Sequence, residues 1–503
     1  MRGHNLICAL IATLAALLVC AAPALAGDPV EVYLTGNDGS THMTHEPNLQ
    51  FSASASSASE TISVDPARRY QRITGFGGAF TDASMYLLWQ LPQAQREAIL
   101  RKLLLPDPAT GSAGFSVMRL PMGAPDFTAS GLYSYDDNGG LPDPTLAHFS
   151  IAHDETYIIP ILREALAINP HLKILANPWS PPGWMKANDS MIGVTTSGVG
   201  WILPQYYPAL AQYFVKFIEA YRAAGIPIWA VTPQNEPEQP AVNYPQAYMT
   251  ADEEAFFVHD YLAPAFRAAH LNTRIYGYDY VWLGAEPYTT TLMALDRDDL
   301  AGMAYHCYFG EPESMSAFHA LFPQEDVIED ECSTGISVLS PIQDLLRSVN
   351  NWASVALMWN VALNPAGGPK VGSGCLDCIG MITVNPANDA VTYNGPYWQF
   401  AQASAFVPRG ATRIGSTASP PEPPCASSPA CGLEYTAFAD PDGDTVLVVT
   451  NSGVESATFS VKRADGEEFS YTLLGQNAPD GTNDSQDAAV VTFVWGPTSP
   501  RTG

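Results

Sequence analysis

The chain has 503 residues, 47% of them hydrophobic, with 51 acidic against 23 basic residues and a formal net charge of −28. Such a composition supports a large ordered core and excludes a disordered chain. The excess of negative charge opposes attraction to nucleic-acid phosphates or anionic lipid headgroups and suits a neutral or weakly charged ligand.

Residues 1–26 have the form of a secretory signal peptide: Arg2, an apolar run from Leu6 to Ala22, and the small-residue cleavage signal Ala24-Leu25-Ala26. The mature chain is therefore expected to be secreted, to the periplasm or the extracellular space. Val19 immediately before Cys20 argues against a lipoprotein processing site. No later apolar run reaches the roughly 18 residues that a membrane helix needs, so no integral membrane segment is expected in the mature chain.

Residues 27–69 hold two strand-like pieces, Val30–Leu34 and Thr61–Val64, around a Ser-rich stretch. From 70 to 395 short apolar runs alternate with helical patterns. The runs are 73–77, 115–119, 172–176, 228–232, 274–278, 303–307, 326–330 and 354–358; helices are predicted over 93–105, 155–168, 206–224 and 251–269. Eight strand-helix units predict an α/β fold, a (β/α)8 barrel. Beyond 396 the pattern changes to strands with Gly, Asn and Asp turns, at 433–438, 445–450, 457–461 and 488–494. That predicts a small β-sandwich over 396–503, completed by the N-terminal strands, since chain ends often lie close together.

Two glutamates stand out within this frame: Glu236 in Thr232-Pro-Gln-Asn-Glu-Pro237 and, 95 residues later, Glu331 in Glu329-Asp-Glu-Cys-Ser333. Each follows or ends an apolar run. Catalytic groups of such barrels sit at the C-terminal strand ends, and a strand-helix unit takes roughly 30 residues, so the pair falls on strands four and seven. Two carboxyls about 5–5.5 Å apart, one attacking the anomeric carbon and one protonating the leaving oxygen, define a retaining glycosidase. Alternate residues of a strand share a face, so pattern alone leaves Glu329 and Glu331 both open. Asn235 is placed to bond a sugar hydroxyl. Asp82, Trp179, His306, Tyr308 and Trp359, at or just past other strand ends, supply stacking faces and polar partners for substrate. Arg119 at the end of strand two is costly inside a barrel unless paired, and is expected to hold Glu236 or Asp82. No metal or other cofactor is implied.

Six cysteines follow the leader. Cys375 with Cys378 and Cys425 with Cys431 are expected to staple short loops. Cys307 and Cys332 are read as buried thiols or one bridge.

Longer motifs carry a resemblance. Gly75-Phe-Gly-Gly-Ala-Phe-Thr-Asp82, Met118-Arg-Leu-Pro-Met122 with Asp126-Phe127, and Asn177-Pro-Trp-Ser-Pro-Pro-Gly-Trp-Met-Lys186 are followed by Trp229-Ala-Val-Thr-Pro-Gln-Asn-Glu-Pro237 and Trp359-Asn-Val-Ala-Leu-Asn-Pro-Ala-Gly-Gly-Pro369. In that order they resemble glycoside hydrolase family 30, especially its glucosylceramidase branch. The resemblance implies a barrel with a side β-sandwich, Glu236 as acid/base and Glu331 as nucleophile. It also implies glucose contacts from Asp82, Trp179, Asn235 and Trp359, with His306 and Tyr308 beside the nucleophile. Two departures bear on the aglycone: Met358 stands where that branch has Asp, and the loop after Asn188 differs. The activity expected first is hydrolysis of glucosylceramide or a similar β-glucoside. Endo-β-1,6-glucanase or β-xylosidase action is the alternative, and a non-catalytic carbohydrate-binding protein a third reading.

Overall fold

Barrel closure begins at a strand with almost no side chains. Gly75–Ala79 carries three glycines, and a Cβ on Gly77 would stand 1.9 Å from the Val117 carbonyl oxygen, so the neighbouring backbone approaches too closely for any other residue. The computed structural model describes residues 28–37, 39–53, 58, 60–296, 298–372, 374–419, 432–475 and 488–496. The leader and the Cys425/Cys431 pair lie outside them.

Eight parallel strands close the barrel: Gly75–Ala79, Val117–Pro121, Lys173–Asn177, Ala230–Val231, Arg274–Val281, Gly302–His306, Asp326–Cys332 and Ala353–Met358. Every predicted run coincides with one of them. The first two begin two residues later than predicted, because the Ile73 and Phe115 N–H groups bond the Ala411 and Leu103 carbonyls outside the barrel ladder. Inside, Val117, Leu175, Tyr276, Ile328 and Leu357 form a sealed core. Outside, helices Gln93–Leu104, Ile158–Ile168 and Tyr207–Ala223 bury apolar faces against the strands. The helix predicted over 251–269 is interrupted: Ala251–Phe257 and Ala263–Ala268 flank a wide π turn at Val258–Leu262, two residues before Pro264, which has no N–H to continue the ladder.

Both chain ends build the second domain. Pro29–Thr35 pairs with Thr44–Gln50 on one side and Ala489–Trp495 on the other, and Glu60–Arg72 pairs with Thr412–Ser419 and Ala457–Lys462. Nine strands form one sheet, which bulges between Thr412 and Gly415 and folds over itself into a sandwich. Phe459, Phe469 and Phe493 meet in its interior. Thr44–Gln50 and Thr412–Ser419 were not legible as strands, since polar residues fill most of their positions; Glu468–Leu473 was missed although its polar and apolar residues alternate. The sandwich is fixed to barrel helix Pro341–Asn350 by Arg347 and Gln343, which both donate to the Glu434 carboxylate, at 2.7 and 2.6 Å. No helix among the described residues is long and apolar enough to cross a membrane.

Candidate active site

The C-terminal strand ends surround a cleft of about 330 Å³ whose walls include Trp179, Asn235, Glu236, Tyr308, Glu331 and Trp359. Its size is that of a small-molecule site. Trp179 and Trp359 stack at 4.8 Å to form one wall.

Glu236 reaches the cleft through a constrained backbone. Its φ of 44° lies in the left-handed region, which costs a non-glycine residue energy that surrounding structure must supply. The Gln246 side-chain amide provides part of it by donating to the Asn235 and Glu236 carbonyls at 2.8 and 2.6 Å. The Glu236 N–H donates to the Asp279 carbonyl at 2.9 Å.

Glu331 is separated from Glu329 by a bulge. In the ladder between strands six and seven, Tyr305 faces Glu329 but His306 faces Glu331, so Asp330 is skipped and the alternation breaks. Glu331 turns into the cleft, where it accepts from the Tyr308 hydroxyl at 2.8 Å and from Arg119. Glu329 is fully buried behind it and accepts from the Leu357 N–H at 3.3 Å. The same register sets Cys307 beside Cys332, and they form a disulfide between the two strand ends. Cys375 and Cys378 form a second bridge beside the cleft wall.

Arg119 is fully buried and organises the floor. Besides Glu331 it donates to Asn235 Oδ1 at 2.9 Å and to Asp279 Oδ1 at 2.7 Å, and its Nε lies 3.2 Å from Asp330. Contrary to the expectation from sequence, it reaches neither Glu236 nor Asp82; the bulge delivers Glu331 to it instead. His306 does not line the cleft but lies beneath it, bonded through Nδ1 to Glu236 Oε1 at 3.1 Å and through Nε2 to Asp279 Oδ1 at 2.7 Å. Burial alone would lower the His306 pKa, but Glu331, Asp279 and Glu236 together hold it well above the usual imidazole range. Burial opposes the charge on Asp279 too, yet Arg119 and His306 outweigh it and depress its pKa.

The charge balance follows. Two cations, Arg119 and His306, face four carboxyls: Asp279, Glu331, Asp330, whose pKa is raised well above its usual range by burial and by Asp279, and Glu236, whose pKa is raised by burial and by Glu331 against the pull of His306. One oxygen each of Glu236 and Glu331 and a His306 nitrogen lie within 4.8 Å of one another. These groups have metal-site spacing, but both His306 nitrogens are already engaged, Nδ1 by Glu236 and Nε2 by Asp279. The arrangement sets a carboxyl of raised pKa, Glu236, beside a second carboxyl, Glu331, in the cleft.

Asp82 departs from expectation. It opens helix Asp82–Gln90, and its carboxylate accepts from Thr128 Oγ, the Ala129 N–H and the Tyr133 and Tyr157 hydroxyls at 3.0, 2.6, 3.2 and 2.5 Å. Turned away from the cleft, it pins the loop after strand two. That loop presents Asp126 to the cleft instead, and burial and Glu331 push the Asp126 carboxyl up to about 8. Asp126 stood within a recognised motif but five residues past the strand end, beyond the reach of a strand-end rule. Asp279 was also missed; an acid within Tyr276-Gly-Tyr-Asp-Tyr280 was its signal. Met358 is buried in the core and does not line the cleft. The loop after Asn188 packs on the cleft-lining segment, with Val194 N–H donating to the Ala241 carbonyl at 2.7 Å.

Known proteins match this architecture from end to end. The glycosyl hydrolase family 30 TIM-barrel domain matches residues 73–407, and the family 30 beta sandwich domain matches 410–480. Endo-1,6-beta-D-glucanase BGN16.3 of Trichoderma harzianum is 33% identical over 419 residues, 80% of this chain and 81% of that protein. Lysosomal acid glucosylceramidase of Mus musculus is 26% identical over 476 residues, 87% of each chain. The solved endo-beta1,6-glucanase BT3312 superposes with a TM-score of 0.78 at 30% identity, covering 94% of this chain and 100% of its own.

Proposed function

The chain belongs to glycosyl hydrolase family 30 and is a glycoside hydrolase, and from that premise we propose that it cleaves β-1,6-linked glucan with retention of configuration. The observation that carries the substrate is kinship: identity is 33%, 32% and 32% to three endo-1,6-beta-glucanases, against 30% to a putative glucosylceramidase of Caenorhabditis elegans and 26% to the mouse glucosylceramidase. This reverses the order expected from sequence, in which glucosylceramide came first and β-1,6-glucan was the alternative. The signal-like segment at 1–26 supports export, where a cell-wall or matrix glucan is met.

In this reading Glu331 is the nucleophile and Glu236 the acid/base. Glu331 attacks C1 of a glucosyl unit while Glu236 gives its proton to O6 of the departing chain, and the C1–O6 bond breaks. The glycosyl ester consumes the Glu331 charge, which removes one cause of the raised Glu236 pKa and leaves His306 favouring its carboxylate. Glu236 then takes a proton from water as that water attacks C1 and frees Glu331. Trp179 and Trp359 offer the sugar a stacking wall, and Asn235 and Asp126 offer hydroxyl partners.

Product analysis of the mature protein with a mixture of glucosylceramide and β-1,6-gluco-oligosaccharides tests the substrate: shortened oligosaccharides and intact lipid are expected, and released ceramide would overturn it. Glu331→Gln abolishes turnover, whereas Glu236→Gln lowers it about 10²–10⁴-fold and yields β-glucosyl azide when azide replaces the activated water. An active Glu331→Gln protein refutes the assignment.

A further inference from the structure

The active cleft does not end at Tyr308. A second cleft of about 210 Å³ shares Tyr308 and Phe309 with it and continues past Gly310, Glu311 and Pro312 to Arg347. A third, of about 340 Å³, shares Glu311, Pro312 and Arg347 with the second and opens where the barrel meets the sandwich, between Tyr70, Arg413 and Tyr435. One segment, residues 308–313, thus lines the three adjoining clefts in turn, from the catalytic pair to the barrel–sandwich junction. Its course is fixed: Gly310 has φ 90°, and a Cβ there would stand 2.4 Å from the Leu283 nitrogen.

The far end of the path is built around Arg413. Its side chain is almost wholly buried at 8% exposure, its guanidinium lies 3.7 Å from the centre of the Tyr70 ring, and its Nε donates to Gln71 Oε1 at 2.9 Å. Among the described residues no carboxylate pairs with it, which leaves its terminal N–H groups available to the cleft it lines. Burial pushes its pKa down to about 10, so it stays charged at neutral pH. Glu311, Glu313, Asn350 and Asn351 stand around the same cleft. An anionic ligand would face these carboxylates and a chain of net charge −28. A neutral polyhydroxyl chain fits the set: its hydroxyls donate to carboxylates and accept from the guanidinium and from the side-chain amides.

We propose that the three clefts form one track, in which a β-linked glucan several sugars long runs from Glu331 along residues 308–313 and is gripped at the barrel–sandwich junction by Arg413 with Tyr70 and Tyr435. The proposal rests on the glucan-cleaving reading and adds to it a distal sugar site formed by both domains.

Two variants test it: Arg413→Ala, which removes the donor, and Ser416→Trp, which fills the distal cleft from a half-buried position and leaves Arg413 in place. Each is placed in the Glu331→Gln background and titrated calorimetrically with gentiobiose and with β-1,6-glucan polymer; each is also assayed in the active enzyme on the polymer and on 4-nitrophenyl β-glucoside. Affinity and kcat/KM for the polymer are expected to fall about tenfold, with gentiobiose binding and aryl glucoside turnover unchanged. Should Arg413→Ala not fold, Ser416→Trp alone decides. Polymer that is bound and cleaved equally well by wild type and the folded variants overturns the track and leaves the glucanase reading standing; equal losses on short and long ligands overturn it as well. Polymer that the wild type neither binds nor cleaves overturns both.

Discussion

Replacing Arg119 by Lys keeps the charge and removes the fork. The guanidinium reaches Glu331 through Nη1, Asn235 and Asp279 through Nη2, and Asp330 through Nε, all without solvent. An ammonium is a point donor and cannot span acceptors on three sides. Hydrogen bonds involving charged groups contribute about 1.5–3 kcal/mol each, so losing two of them amounts to about 3–6 kcal/mol. Where that loss falls on Glu331 and Asn235, which face the sugar, it appears in the transition state as roughly 10²–10⁴ in kcat/KM at 1.4 kcal/mol per decade. The assay is kcat/KM on β-1,6-glucan and on an aryl glucoside, with circular dichroism and a melting curve to establish that the variant is folded. Arg119→Met is the companion: three acids then lose a buried cation, a loss of about 3–5 kcal/mol or more that threatens folding itself. A folded Arg119→Lys enzyme within tenfold of wild type would show that the fork does not organise the site.

The disulfide between Cys307 and Cys332 ties the ends of the strands that carry His306 and Glu331. With a sequence separation of 25, the chain-entropy model gives about 3–4 kcal/mol for it; the double Cys→Ala variant should unfold at correspondingly lower denaturant, and an unchanged midpoint would refute the estimate. Stability should also be highest in mildly acidic solution. Asp279 is depressed below its ordinary 3.8, so its contribution is present above that value and lost as pH falls through the folded pKa. His306 is raised above 6.5, so its contribution is complete below 6.5 and is lost as pH rises through the folded pKa. Asp126 and Asp344, both raised from 3.8 to about 8 chiefly by burial, lose theirs between those values as pH rises. A melting temperature that is flat or rises from about pH 5 to pH 8 contradicts this.

Legibility in the sequence followed burial. Barrel strands such as Ala353–Met358 are buried on both faces and read as apolar runs, so their order and approximate limits could be taken from the chain. Strand Thr412–Ser419 pairs through its backbone while half its side chains face water, and its composition, with Gly415 and two serines, carries no signal. At the site, Glu236, Glu331, Trp179 and Trp359 could be named because strand ends are where a barrel exposes side chains. Asp126 escaped because a loop delivers it, and Asp82 was misread because position along a strand says nothing of four donors arriving from residues 128–157.

The choice between Glu329 and Glu331 marks the limit of pattern reasoning, and it yields a sharp test. Perfect alternation would send both side chains to one face; the bulge at Asp330 instead leaves Glu329 beside Leu357 and Asp344, away from the cleft. Burial, together with Asp344 and Asp330, raises the Glu329 pKa well above the usual carboxylate range, which favours the neutral acid. Glu329→Gln keeps the shape and an oxygen for the Leu357 N–H at a buried position off the cleft, and kcat/KM should stay within about threefold of wild type, a change under about 1 kcal/mol. The same change at Glu331 removes the nucleophile and should leave no turnover. If Glu329→Gln proved as inactive as Glu331→Gln while remaining folded, the bulge would not divide the two acids as described, and the nucleophile assignment would lose its structural basis.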